Sequence, residues 1–155
     1  ALGTTHAIWL PAGIEGDDTD GHIDDLARFV NADTIAAVRA PQGHPDHDVL
    51  ERNWEALTQA RDQNGQKLQL VELPVPAPIF WDFPPEDDWP GGIRQVPASY
   101  ANFLFANRAV LVPTFEQPTD EQALKVFEQL FPERVAGGGL RLINRVGGEA
   151  TRRVK

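Results

Sequence analysis

The chain has 155 residues, the size of one ordinary domain, and 41% of them are hydrophobic, enough to bury a core. Its net charge of −9 argues against nucleic acid, whose phosphates need a basic face, and favours a cationic ligand or plain solubility. The chain holds no cysteine, which excludes a disulfide framework and thiolate chemistry within it and fits a cytoplasmic protein, and no apolar run approaches the roughly 20 residues that span a bilayer.

Residues 7–10 (Ala7-Ile8-Trp9-Leu10) form an apolar run ended by Pro11, which predicts a short strand. Residues 13–25, GIEGDDTDGHIDD, then pack five aspartates, one glutamate and one histidine among three glycines. This loop is the densest cluster of chemical groups in the chain. Residues 26–30 and 34–39 predict two strands, with Asn31-Ala32-Asp33 as the hairpin turn. A loop with His44 and His47 leads to a predicted helix over 48–61, with Leu50, Trp54 and Leu57 on one face and Asp46 or Asp48 as cap. Asn64-Gly65 is expected to end it before a strand over 68–73.

Residues 74–97 are expected to form a long proline-rich loop bearing Phe80, Trp81, Phe83 and Trp89 with Asp82, Glu86, Asp87 and Asp88. The order then repeats. Residues 100–106 and 109–115 predict a second hairpin around Asn107-Arg108. Thr119-Asp120-Glu121-Gln122 reads as a capping box opening a helix with Leu124, Phe127 and Phe131 as its apolar stripe, ended by Pro132. Phe29-Val30-Asn31 corresponds to Phe105-Ala106-Asn107 at an offset of 76 residues. The fold class is therefore α/β, built from strand–strand–helix–strand units at about 24–73 and 98–139. About one strand is missing from the second unit, because Gly137-Gly138-Gly139 follows Phe131-Pro132 almost at once. The basic segment 140–155 carries five Arg or Lys against one Glu, a charge of +4 that leaves −13 for the other 139 residues.

His22 and Asp24 form a His-x-Asp pair. On a strand, positions i and i+2 share a side, so both are expected to face one pocket. A carboxylate beside a histidine favours a proton donor near neutrality, and carboxylates pair bidentately with a planar guanidinium. Asp17, Asp18 and Asp20 do not make a calcium loop, since the acid five before Gly21 and the glutamate six after it are Gly16 and Ala27. No metal or organic cofactor is expected; His44 and His47 lack further ligands and read as surface-loop residues. Trp81 and Trp89 could stack on a cation or seal a contact.

The stretch IEGDDTDGHIDDLARFV strongly resembles the histidine-bearing segment of the agmatine deiminases, peptidylarginine deiminase-like members of the guanidino-group-modifying superfamily. Pro97-Ala98-Ser99-Tyr100-Ala101-Asn102-Phe103 and Ala109-Val110-Leu111-Val112-Pro113 resemble the same family in the same order, and the likeness runs over roughly 2–139. The resemblance implies the C-terminal half of such an enzyme and an α/β propeller (pentein) of five ββαβ modules, of which this chain would hold about two. It implies that His22 is a general acid/base and that Asp24 grips the guanidinium. Asp18, Asp20, Ser99, Tyr100 and Asn102 would bind substrate. The family hydrolyses agmatine to N-carbamoylputrescine and ammonia for putrescine synthesis, and its nucleophilic cysteine follows a glycine run. Here Leu140-Arg141-Leu142 follows the glycines instead. The chain is therefore expected to be a truncated, non-hydrolysing relative, or a segment of a longer enzyme. Two alternatives stay open: a binding module for a cationic guanidine or amine, and a homo-oligomer joined through open sheet edges.

Overall fold

The computed structural model describes residues 4–17, 21–86, 90–107 and 109–133, together with the strand at 142–143. It is a mixed α/β arrangement of small sheets. β1 (Ala27–Phe29) and β2 (Thr34–Val38) form the expected antiparallel hairpin, with Phe29 opposite Ile35. Asn31 makes the turn by accepting the Asp33 amide on its side chain at 3.0 Å. β2 is buried at every position, as a strand covered on both faces must be. α1 (His47–Gln59) carries the chain across to β3 (Gln69–Leu73), which pairs parallel to β2. Leu50 and Leu57 on the inner face of α1 are buried against the sheet, and Trp54 packs at its margin.

Two expectations about α1 need correction. Asp46 stands at its N-cap position, but its carboxylate makes no cap hydrogen bond. The helix also ends at Gln59, before Asn64-Gly65. The Asp62 carboxylate takes the amides of Asn64 and Gln66, at 2.8 and 2.7 Å, and closes a separate turn there. Residues 7–10 form no strand: Trp9 is 85% exposed and nothing pairs with this run among the described residues. The proline-rich segment is not a long loop. It contains β4 (Ile79–Phe83) and β5 (Gly92–Val96), an antiparallel hairpin with Trp81 opposite Arg94.

The second unit repeats the first in pairing as well as order. β6 (Leu104–Phe105) pairs antiparallel with β7 (Val110–Leu111), and α2 (Thr119–Leu130) connects β8 (Pro113–Thr114) to its parallel partner β9 (Leu142–Ile143). One strand does both jobs in the first unit. In the second, Pro113 has no amide to give to a continuous ladder, and the strand divides around buried Val112. β9 thus takes the return position after the glycines, while the gap expected before them lies outside the described residues. The strand expected over 100–106 shortens to Leu104–Phe105, and Tyr100 and Ala101 form a turn before it.

α2 has Pro118, not Thr119, at its N-cap position, and no side-chain cap bond from there. Asp120 supplies the anchor by accepting the Phe115 and Gln117 amides at 3.0 and 3.2 Å. Ala123 and Phe127 form the buried stripe, with Leu124 and Phe131 at its margin. The two units share one core. Arg28 of β1 lies over the Phe103 ring at 4.6 Å and donates to the Phe103 carbonyl, while Phe103 meets Phe127 edge-on at 4.8 Å. Among the described residues, no helix is long and apolar enough to cross a membrane. Asp87, Asp88, Trp89 and Arg108, the glycines at 137–139 and most of the basic segment 140–155 lie outside the described residues.

Candidate functional site

The acidic loop is folded tightly against itself and its neighbours. A Cβ on Gly13 would lie 2.8 Å from the Cα of Gly21, so the two ends of the loop cross where neither has a side chain. Gly16 has φ +85° and lies on β5, where a Cβ would sit 2.5 Å from the Gln95 carbonyl. The Asp17 amide turns back to the Ile14 carbonyl at 3.3 Å. That turn aims the Asp17 carboxylate inward, where its side chain is only 2% exposed. There it accepts the His22 amide at 2.5 Å, with the His22 Nδ1 at 3.7 Å from its other oxygen.

Ile23–Asp25 is a 3₁₀ turn with His22 at its N-cap, not a strand. This corrects the expectation that His22 and Asp24 share a side by strand alternation. A 3₁₀ turn has three residues per turn and brings positions i and i+3 together, so Asp25 comes up to His22, while Asp24 stays near enough for its charge to act on Asp25. Ligand atoms of Asp17, His22 and Asp25 accordingly lie within 4.8 Å of one another. Two carboxylates and an imidazole at that spacing can meet a divalent cation or a planar guanidinium.

Asp25 is buried, and its carboxyl is pushed above the ordinary carboxylate value, first by burial and then by the charge of Asp24. Asn102 opposes this by donating to the Asp25 carboxylate at 3.4 Å, and Asp17 adds to the push. Ser99 donates its hydroxyl to the Asp25 carbonyl at 2.7 Å and accepts the Ala101 amide at 3.1 Å. Ser99 and Asn102 are therefore brought up to the base of the acidic loop. Tyr100 is not. Its hydroxyl donates to Asp120 at 2.6 Å and meets Thr119 at 2.8 Å, at the start of α2. Burial and the Asp120 carboxylate both hold that phenol well above its ordinary value.

Asp18 and Asp20 lie outside the described residues. Asp25 is the group that reading by strand period overlooked. Gly21 followed by a histidine and two aspartates in a stretch too short to alternate is the only sequence signal for the 3₁₀ turn. Asp46, Asn53 and Gln95, which hold the loop from outside, left no local signal. A separate cavity of about 500 Å³ lies between residues 4–10 and the first hairpin, lined by His6, Ile8, Leu10, Ile23, Phe29 and Leu57 among others. Its lining includes Ile23 but not Asp17, His22 or Asp25.

Residues 1–150 match the family model described as Porphyromonas-type peptidyl-arginine deiminase. A Streptomyces coelicolor protein provisionally named an agmatine deiminase is 36% identical over 154 residues, covering 89% of this chain and 42% of its own length. A crystal structure of a provisionally named arginine deiminase from Porphyromonas gingivalis matches with TM-score 0.70 and 38% identity, over 86% of this chain and 37% of that one. An agmatine deiminase of C. jejuni, carrying a cysteine-to-serine change and with substrate bound, matches with TM-score 0.65 and 34% identity over 82% of this chain and 34% of that one. The chain thus spans about two fifths of the length of the curated relatives it matches.

Proposed function

The chain belongs to the Porphyromonas-type peptidyl-arginine deiminase family, and we propose that its acidic loop is the guanidinium-handling part of an agmatine deiminase-like site. The observation that supports this best is the meeting of Asp17, His22 and Asp25 in the segment that resembles the agmatine deiminases. In this reading His22 is the general acid/base and Asp24 grips the guanidinium, with Asp18 and Asp20 adding carboxylates nearby. Ser99 and Asn102 act from behind, through Asp25. Tyr100, assigned to the substrate by resemblance, acts on the position of that segment through Asp120. The ligand is a small cationic guanidine or amine, agmatine first among them. The two ββαβ units are two of the five modules of an α/β propeller, and the cysteine-free composition fits a cytoplasmic place of action.

The family reaction needs a nucleophile that adds to the guanidinium carbon and forms a covalent amidino intermediate before water completes the hydrolysis. These 155 residues contain no cysteine to supply it. By themselves they bind the ligand and do not turn it over. The test is agmatine hydrolysis by the purified chain, followed as ureido product, beside calorimetric titration with agmatine. Saturable binding lost in His22→Ala and in Asp24→Ala, with no product, is the expected result. Product that vanishes in His22→Ala would overturn the non-catalytic reading, and no binding at all would overturn the ligand reading.

A second reading is supported by the surface. Trp9, Leu104, Ile93 and Phe29 are 85%, 61%, 59% and 53% exposed, and among the described residues β1 leaves one edge of its sheet open. A homo-oligomer closing these edges is the structural alternative, and light scattering of the purified chain distinguishes it from a monomer.

A further inference from the structure

Asp46 and Asn53 are buried polar residues, 5% and 3% exposed, on an element otherwise buried through Leu50 and Leu57. They lie seven residues apart and so on one face of α1, two turns from each other. A buried polar side chain is costly unless its hydrogen bonds are made, so what each bonds to shows what it is there for. An aspartate at an N-cap ordinarily gives its carboxylate to the amides of the first helical turn. Asp46 does not. Its carbonyl accepts the Leu50 amide at 3.0 Å, but its carboxylate leaves the helix and accepts the Glu15 amide at 2.7 Å. The other carboxylate oxygen takes the Gln95 side chain at 3.4 Å and faces His44 Nδ1 at 3.6 Å. Asn53 uses both ends of its amide on one residue. It donates to the Ala12 carbonyl at 2.8 Å and accepts the Ala12 amide at 3.4 Å, pairing with the backbone as a neighbouring peptide would.

Both residues therefore hold the backbone that leads into the acidic loop. Gly16, next to Glu15, lies on the Gln95 carbonyl, and Gln95 itself reaches Asp46, so Asp46, Glu15, Gly16 and Gln95 close a small ring. One residue further, Asp17 turns inward to the His22 amide. A shift at residues 12–16 must pass to Asp17 and from there to His22.

We propose that Asp46 and Asn53 are positioning residues of the acidic site: one face of α1 sets where the loop carrying Asp17 and His22 lies. This rests on the reading of that loop as the ligand site. Its test needs no ligand, so the two can fail separately. Asp46→Ala, Asp46→Asn and Asn53→Ala are made in the full chain and followed by NMR at one pH. Two signals are read: hydrogen exchange of the Ala12 and Glu15 amides, and the His22 imidazole Cε1–H resonance. In Asp46→Ala the Glu15 amide exchanges about tenfold faster or more, as expected for losing a charged acceptor, and the His22 resonance moves. Asp46→Asn keeps one acceptor oxygen and restores both signals towards the wild type, which a general loss of stability would not do. In Asn53→Ala the Ala12 amide is released instead and His22 moves again. That variant carries the test should Asp46→Ala fail to fold. A His22 resonance unmoved in both alanine variants overturns the proposal, and so does a Glu15 amide that exchanges at the wild-type rate in Asp46→Ala. A wild-type spectrum that does not respond to added agmatine counts against the ligand reading and leaves the positioning result intact.

Discussion

Asp120→Ala should be among the most damaging single changes available outside the apolar core. The Asp120 carboxylate accepts the Tyr100 hydroxyl at 2.6 Å, the Phe115 amide at 3.0 Å and the Gln117 amide at 3.2 Å, and the Glu116 amide supports it as well. It thereby ties the start of α2 to the turn that carries Ser99 and Asn102. Hydrogen bonds to a charged acceptor contribute roughly 1.5–3 kcal/mol each when buried, but Asp120 is only partly buried and the three best-defined bonds share one group. About 1 kcal/mol for each is the reasonable discount, so Asp120→Ala should cost about 3 kcal/mol. For a domain of this size that lowers Tm by roughly 6–12 °C. Tyr100→Phe should cost only about 1 kcal/mol, because its ring stays packed edge-on against Phe115. The two changes remove one shared bond, so the double variant should cost about 1 kcal/mol less than the sum. Urea unfolding followed by circular dichroism at neutral pH measures all three. The sign of the pH effect is also fixed. Burial opposes ionisation of Asp120, but the bonds from Tyr100 and from the Phe115 and Gln117 amides outweigh it and hold the carboxyl below its ordinary 3.8. A depressed folded value gives stability that is complete above the ordinary value and disappears as pH falls through the folded one. The difference between wild type and Asp120→Ala should therefore be full at pH 7 and shrink below about pH 3.8. A cost under about 0.5 kcal/mol, or strict additivity with Tyr100→Phe, would refute this account of the anchor.

Asp25 has the opposite sign. Its folded value is raised, so its contribution is complete below its ordinary 3.8 and is lost as pH rises through the folded value. Asp25→Asn, which keeps an acceptor for Asn102, should therefore melt at or above the wild-type temperature at pH 7, with the advantage gone at acid pH; a lower Tm at neutrality would contradict the burial argument. Gly16→Ala places a Cβ 2.5 Å from the Gln95 carbonyl at φ +85°. It should cost about 2 kcal/mol or more in thermal unfolding, and an unchanged Tm would mean that the loop does not lie on β5 in solution.

The first unit was legible because its signals are local. Leu50, Trp54 and Leu57 repeat at helical spacing, and Asn31 with Asp33 marks the turn between two apolar runs. What the sequence hid depends on partners far away in the chain. Residues 7–10 look as strand-like as 26–30, yet only the latter have a neighbour to bond to among the described residues. The β4–β5 hairpin does alternate, with Ile79, Trp81 and Phe83 partly buried and Phe80 and Asp82 exposed. Flanking prolines and an aromatic on each face concealed that period. Caps failed for a related reason: Asp46 and Asp120 sit where helices begin, but each gives its carboxylate to a segment before its helix. Composition placed acceptors at helix starts and could not say which amides they would meet.

The same limit governs the site. In GHIDD the identity of the residue beside His22 depends on rotation per residue alone: a strand selects Asp24, and a 3₁₀ turn selects Asp25. The turn has an electrostatic consequence that a strand would lack. It buries one carboxyl beneath two others, Asp17 and Asp24, and their charges favour keeping a proton on Asp25. Burial and like charge act together against such a cluster, and Asn53, Asp46, Ser99 and Asn102 add bonds that hold the loop from outside. A guanidinium entering between the carboxylates would screen their repulsion and replace lost water with paired donors. Buried Asn53, Asp46 and Ser99, together with Asn102, thus have one physical task in common: they hold a concentration of negative charge in place.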